Sequence, residues 1–521
     1  MDAQRPLRLP ILALHLMLTG LFSPPAHGPL RRLTLIALLP RLVAAVFAGG
    51  YFAHDDHFLV AEAARSWVDG FDYNNWLPWN QGADPRPSGH SMFYVGLHYL
   101  LFKGLVAIGL KDPAWGMVVV RLLHAAWSLV VVRVGYRIAE RLSTAAIAWR
   151  TGLFLALLCY MPFLSVRNLV EVACIPFLML GAWQLVKDPQ GPTTRLALLA
   201  GVCIGMAINV RFQVVFFAAG PGLALLLQRR WASLVAYGLG LLLPLVLIQG
   251  GIDLFLWKRP FAELTEYVMY NMVNTTTYGV QPWYNYILLL AGLFLPPFGL
   301  CVLWGFARWP RPLVVWLPVL LFVAIHSHFP NKQERFLLPI VPLFFVLGYT
   351  AWEQFRLGSA WWQQRPRLWK GLMVWTLSVN ALLLVLLTVS TSKRSRVDAM
   401  TLLLGRTDVK GWIVEDSPEH EPPMLPKYYS LQWPATVINV ADTTLDLDST
   451  MTLWRTTPRL TPNYAFLIGN EDLPARTARL ERAMGPLETV GVAQPGLLDR
   501  LVHWLNPVNR NETITVLRVR E

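Results

Sequence analysis

Charge is what this chain has least of. Only 15% of its 521 residues are Asp, Glu, Lys or Arg, against 55% hydrophobic residues and a mean hydropathy of +0.42. So little charge on so long a chain excludes a soluble globular protein and fits a polytopic membrane protein. Acids are scarcer than bases, 32 against 45, which leaves a formal charge of +13. The surplus cations fall in short gaps between apolar runs, as cytoplasmic loops do, so the basicity calls for no nucleic-acid partner. Cysteine is also sparse: Cys159, Cys174, Cys203 and Cys301 all lie in apolar runs with no CxxC pair, which gives neither a disulfide framework nor a zinc site. The polar C-terminal part carries no GxGxxG or other phosphate-cradling motif, and no long-period repeat is evident.

What is present is a succession of apolar segments near the 17–25 residues needed to cross a bilayer. Arg31 and Arg32 precede a first span at 33–52, which therefore runs outward. Others are expected at 116–137, 145–163, 170–186, 195–210, 213–228, 232–250, 284–306, 313–327, 336–353 and 371–390, about eleven in all. This assignment puts Arg137/Arg141/Arg150, Lys187/Arg195, Arg229/Arg230, Arg308/Arg311 and Arg356/Arg365/Arg367/Lys370 on the cytoplasmic side. A span at Ser91–Leu110 would invert that order, so this stretch reads as an interfacial helix within a long external first loop, 53–114. Residues 1–32 read as a cytoplasmic or interfacial leader: Arg5, Arg8 and the short run Leu9–Phe22 imitate a signal peptide without a good cleavage context. Residues 33–391 form the membrane domain, and 392–521 an external one. In the latter, strand-like runs at Gly411–Val414, Ala435–Val440, Tyr464–Ile468, Glu488–Val492 and Thr513–Arg518 alternate with helical patterns at Ala475–Met484 and Gly496–Leu505, the signature of a small α/β fold.

The chemistry-bearing residues gather on the expected outer face. Ala53-His54-Asp55-Asp56-His57 sets two adjacent carboxylates where the first span meets water. One carboxylate can take a proton from a hydroxyl while its neighbour orients it. Asp55 can equally cap the stretch Phe58–Trp67, and nothing else in the chain completes a metal-ligand set with His54 and His57. Lys332 and Arg335, in His326-Ser-His-Phe-Pro-Asn-Lys-Gln-Glu-Arg-Phe336, are two cations suited to a lipid phosphate or, alternatively, to Glu334 and headgroups. Arg167, Asn168 and Glu171 sit at one outer turn and Arg211 near another, where ionisable groups face a cavity or a partner. Tyr278 to Tyr286 brings aromatics, Trp283 among them, to the end of a second outer loop, as an aromatic belt or a sugar-binding wall.

Taken together, these segments resemble the mannosyltransferases of glycosyltransferase family 22. Ala53-His54-Asp55-Asp56 occupies the place of that family's HPDE, with Phe58 and Glu62 in register. Asn331-Lys-Gln-Glu-Arg-Phe-Leu-Leu-Pro-Ile-Val-Pro342 is similar to HKExRFxxPxxP, and Tyr278–Tyr286 to YGxxPWxWY. The departures are Ala53-His54 for His-Pro, Asp56 for Glu, Asn331 for His, Gln333 for Glu and Asn285 for the second Trp. The resemblance implies a mainly α, GT-C type membrane enzyme that transfers mannose from a polyprenyl-phosphate donor to a glycan or glycolipid hydroxyl with inversion, without metal or cofactor. It implies Asp55 as general base, with Asp56 and Glu62 holding the acceptor or the loop. Lys332, Arg335 and Arg211 would bind the departing phosphate, and Tyr278 and Trp283 would wall the sugar. A bacterial inner membrane with the site facing the periplasm is the expected setting. The alternatives are a GT-C enzyme using aminoarabinose or galacturonate or modifying protein Ser/Thr, a scaffold that does no chemistry, and a polyprenyl-lipid transporter. The last should show repeated halves and mid-membrane charge.

Overall fold

Prolines and short polar breaks in the apolar runs decide where the helices stop. The computed structural model describes residues 23–277, 279–308, 312–416, 422–440, 461–506 and 509–520. The chain is mainly helical. Among the described residues four helices are long and apolar enough to cross a membrane: Pro113–Leu142, Trp231–Trp257, Glu334–Gly358 and Pro366–Thr388. Seven more apolar helices are shorter, 10–17 residues each. The sequence count of eleven therefore does not become eleven long helices. The stretch 145–163 divides into Ala145–Leu157 and Tyr160–Ser165. That at 284–306 divides into Asn285–Leu293 and Phe298–Ala307 around Pro296 and Pro297, which lack the N–H that a continuous helix needs. The first helix, Pro29–Phe47, ends well before residue 52.

Two compact units emerge. One comprises residues up to Ala45, Arg86–Phe93 and Leu122–Thr388; the other comprises Val46–Pro85, Tyr94–Arg121 and Val389 onward. Val389 onward thus shares a unit with Val46–Pro85 and Tyr94–Arg121.

In the first unit, helices Thr194–Val210 and Trp231–Pro244 touch backbone to backbone. A Cβ on Gly240 would lie 2.1 Å from the Leu198 carbonyl oxygen, and one on Gly201 would lie 2.2 Å from that of Tyr237. Gly201 and Gly205 are one turn apart, the small-residue spacing that lets membrane helices approach closely. Gly240→Leu is expected to force this crossing apart and cost about 1–3 kcal/mol or more, read as a lowered Tm of the detergent-solubilised protein. Arg41 is fully buried in the first helix. Its guanidinium donates to Ser128 Oγ (3.0 Å) and to the carbonyls of Ala37 (2.9 Å), Leu155 (3.2 Å) and Ala156 (3.0 Å). The last two carbonyls close helix Ala145–Leu157, whose negative dipole end suits a cation.

The second unit holds a five-stranded sheet of order β2-β1-β3-β5-β4, with β1 Gly411–Glu415, β2 Thr436–Val440, β3 Tyr464–Ile468, β4 Leu487–Ala493 and β5 Ile514–Val519. Strands β2, β1 and β3 run parallel, and β5 is antiparallel to both β3 and β4. Helix Leu473–Met484 lays Leu480 and Ala483 on Ile413, Leu467 and Leu517 of the sheet. Each strand and both helices lie within three residues of the places that apolar patterning assigned them.

Candidate active site

In the second unit, the acid stretch forms a π-helix, Asp56–Glu62, that runs into helix Ala63–Val68. Asp55 begins it with helical backbone angles, and its side chain makes no capping hydrogen bond. Asp55 is half-buried while Asp56 is 2% exposed. His57 is buried in a stack of rings, with Tyr51 at 4.4 Å on one side and Tyr429 at 5.7 Å on the other, both nearly parallel to it. Glu62 is fully buried: its Oε2 accepts the Tyr428 N–H at 3.1 Å and lies 3.5 Å from His57 Nε2. The π-helix thus leaves Asp55 as its most accessible carboxylate and ties Glu62 to the C-terminal chain. Partial burial holds the His54 imidazole below its ordinary pKa against the pull of Asp55, with Lys393, His57 and Arg396 adding to the lowering, so His54 is neutral at pH 7.

In the first unit, two of the three cations expected to meet a phosphate, Arg211 and Arg335, converge on one acid. Glu171, fully buried, has Arg211 Nη2 at 3.1 Å and Arg335 Nε at 3.9 Å. Neither carboxylate oxygen has a hydrogen bond among the described residues, so charge alone holds the group. Two guanidiniums thus share this one carboxylate. Phe336 lies under both guanidiniums, at 5.6 Å from Arg211 and 5.8 Å from Arg335, and its carbonyl accepts from Gln213 at 3.0 Å. Arg167 instead stacks on Phe163 at 4.3 Å. Lys332 is 6% exposed, donates to the Phe329 carbonyl and stands 5.9 Å from the Tyr286 ring.

Two motifs far apart in sequence are joined here. Val280 and Asn331 form an antiparallel bridge, extended by Gln281 N–H to Pro330 O (3.1 Å) and Lys332 N–H to Gly279 O (3.2 Å). Tyr286 donates its hydroxyl to Gln333 O at 3.0 Å, and Gln333 Oε1 accepts Arg335 Nε at 2.8 Å. Gln333, one of the departures from the family pattern, therefore orients a candidate phosphate ligand. Trp283 is 64% exposed and edge-on to Tyr284. Tyr278 lies outside the described residues.

Sequence reasoning missed Tyr267, on helix Ala262–Val273. Burial raises its phenol pKa, and the Arg211, Glu171 and Arg335 charges all reach it, which places it beside the cation cluster. It also missed a buried clasp that holds the loop stretch Arg86–Phe93. Ser91 Oγ donates to Asn209 O (2.6 Å) and Gln249 Oε1 (3.0 Å), and Met92 N–H donates to Glu263 Oε2 (2.9 Å). Glu263 also takes Gln249 Nε2 (2.7 Å) and Trp257 Nε1 (3.1 Å). Burial, with the Asp253 charge behind it, pushes the Glu263 pKa up to about 7. A raised carboxyl pKa means the folded chain binds the extra proton. Stability should therefore be full below about 4.5 and fall as pH rises to about 7. Glu263→Gln is expected to remove that slope from a Tm against pH series.

Among the described residues no three His, Cys, Asp or Glu side chains gather as a metal site. The fold is that of a GT-C membrane glycosyltransferase. ArnT from Cupriavidus metallidurans, solved bound to undecaprenyl phosphate, superposes with a TM-score of 0.61 at 14% identity over 95% of this chain and 99% of that one. The Alg9-like mannosyltransferase family matches residues 33–408, and the chain belongs to that family of glycosyltransferases. It is 26% identical over 227 residues to the Dol-P-Man:Man(7)GlcNAc(2)-PP-Dol alpha-1,6-mannosyltransferase of Drosophila melanogaster, covering 41% of this chain and 31% of the fly protein. It is 23% identical over 350 residues to mannosyltransferase APTG1 of Arabidopsis thaliana, covering 64% and 60%. The matches thus span less than two thirds of either relative.

Proposed function

We propose that this protein transfers mannose from a polyprenyl-phosphate donor to a hydroxyl of a lipid-linked or glycan acceptor, with inversion and without a metal. The observation that carries the reading is the buried Glu171 shared by Arg211 and Arg335, which brings two guanidiniums to one place. Its environment excludes water, so each guanidinium acts more strongly on a phosphate than it would in solution. In the reaction the acceptor oxygen attacks the anomeric carbon as the bond from that carbon to the phosphate oxygen breaks. Asp55 takes the hydroxyl proton. Arg335, Arg211 and Lys332 hold the polyprenyl phosphate as charge develops on it. Asp56 steadies Asp55, Glu62 fixes the loop, and Tyr278 and Trp283 border the sugar. A donor of this lipid class suits a fold that in ArnT accommodates undecaprenyl phosphate.

We place the acid pair on the outer face of the membrane, towards the periplasm of a bacterial inner membrane. The supporting pattern is the clustering of Lys and Arg in the gaps opposite. The test is sugar transfer from synthetic polyprenyl-phosphate mannose, in membranes containing the protein, to an extract of native lipids and glycans. Radiolabelled mannose should appear in a product that mock membranes do not form. Donor binding without any product, in every acceptor extract, would overturn the transferase reading.

A further inference from the structure

The apolar helices Val170–Val186, Thr194–Val210 and Phe212–Leu227 each have one end at the Glu171–Arg211 pair. Their other ends meet around a cavity of about 720 Å³ within the same unit, where Val186 ends the first, Pro192 precedes the second and Gln228 follows the third. Helices Leu313–His328 and Glu334–Gly358 reach it too, through Val314 and Gln354, and their far ends lead to Lys332 and Arg335. The 17 residues of Thr194–Val210, at a rise of about 1.5 Å each, put the two places about 25 Å apart, most of the way across a hydrocarbon core of about 30 Å. The cavity is therefore separate from the candidate donor site, at the opposite ends of the same helices.

Its volume lies within the roughly 300–1,000 Å³ of small-molecule sites. The lining is mixed: Leu142, Leu185 and Val314 give apolar wall, while Arg141 and Arg230 stand with one acid, Asp188. That acid is turned to its own chain, its Oδ1 accepting the Gln190 N–H at 2.9 Å, and among the described residues it is ion-paired with neither arginine. Arg141 lies in the last turn of helix Pro113–Leu142. Its Nε is buried without a hydrogen-bond partner among the described residues, a rare state for a desolvated donor. The helix end does not account for it, since the Leu142 carbonyl already accepts from Gln354 Nε2 at 2.8 Å. Arg230 is held by the turn at 188–192. It donates to the Gln190 carbonyl, and a Cβ on Gly191 would stand 2.7 Å from its Cζ. Gly191 has a φ of +92°, so both the turn and the approach of the guanidinium call for glycine here. A carbonyl orients Arg230 without neutralising it.

We propose that this cavity binds a phosphate group, carried on an anionic lipid headgroup or free in solution, with Arg141 and Arg230 as its ligands. The planar fork of an arginine matches phosphate oxygens. Both residues belong to gaps that the charge pattern assigns to the cytoplasmic side, and basic pockets between membrane helices on that side take lipid headgroups. The apolar walls suit the glycerol and first acyl carbons of such a lipid. The proposal goes beyond the transferase reading and stands without it.

The experiment uses the full chain in detergent micelles and calorimetric titration with dihexanoyl phosphatidylglycerol, inorganic phosphate and dihexanoylglycerol, which lacks the phosphate. At least one phosphate compound should bind saturably, more weakly as salt rises, and dihexanoylglycerol should not. Tighter binding of the phospholipid makes the headgroup the ligand, and binding of inorganic phosphate as tight or tighter makes it the free ion. Arg141→Gln should weaken binding about tenfold or more. Its Tm without ligand and its polyprenyl-phosphate binding should match those of the wild type, because the side chain has no bond to lose among the described residues and the donor site is remote. Arg230→Gln should weaken binding similarly, and if losing its bond to Gln190 unfolds the chain, Arg141→Gln carries the test. Arg137→Gln, on the same helix outside the cavity and paired with Glu140 at 3.0 Å, should bind as the wild type does. Equal binding of dihexanoylglycerol, no binding by either phosphate compound, or unchanged binding by the folded Arg141→Gln variant would each overturn the proposal. So would an equal loss in Arg137→Gln, which would make the effect one of overall charge.

Discussion

Mannosyl transfer should fall by roughly 100- to 10,000-fold when Asp55 becomes Asn, the range over which a positioned general base acts. The amide keeps the shape of the carboxylate and cannot take the proton. Asp55 is half-buried and caps no helix N–H, so the change removes no cap. Its Tm should correspond to a stability change within about 0.5 kcal/mol. Donor binding should also persist, since Asp55 is asked to act on the acceptor. The measurement is initial rate at saturating donor, with Tm and donor Kd on the same preparation. Transfer that persists in a folded Asp55→Asn variant would move the base to Asp56.

A second large effect separates two arginines that look equivalent in sequence. Arg335→Gln removes a guanidinium 3.9 Å from Glu171, beyond hydrogen-bond reach. Donor affinity should fall about 10- to 100-fold, the value of a charge-assisted contact, with a smaller loss of stability than the change at Arg211. Arg211→Gln removes the partner at 3.1 Å and strands a fully buried carboxylate. Breaking a buried pair in this way costs about 3–5 kcal/mol, so this variant should be unstable as well as weak in donor binding. Adding Glu171→Gln to Arg211→Gln should restore much of the Tm and none of the donor affinity. If stability does not return in the double variant, Arg211 supports the fold through groups other than Glu171.

The C-terminal sheet was the most legible part of the chain, because short apolar runs between turns mark strands directly and few alternatives compete. The membrane part was legible as apolar runs and less so as helices. Periodicity says nothing of where Pro296-Pro297 or the turn at Leu158 breaks a run. Arg41 and Asp253 show a second gap: both sit inside helices, fully buried, and their tolerance depends on backbone groups of other helices, carbonyls for Arg41 and the Glu263 N–H for Asp253. Of the site, the acid pair and the Lys332–Arg335 segment were readable as chemistry. That the segment at 279–281 pairs with 330–332 was not, since two-residue ladders leave no pattern in a sequence. Glu62 was read as a residue for substrate or loop. Its tie to the Tyr428 backbone depends on a contact 366 residues distant, which only folding reveals.

The π-helix at Asp56–Glu62 also fixes an angular phase. A π turn holds one residue more than an α turn, and each residue of an α-helix advances the chain by about 100°. With Glu62 anchored, the inserted residue sets the direction in which Asp55 faces. Deleting one residue between Phe58 and Ala61 would give a more regular helix and swing the acid pair to another side of it. In this segment local regularity and the aim of the carboxylates oppose each other, and the fold has settled in favour of aim.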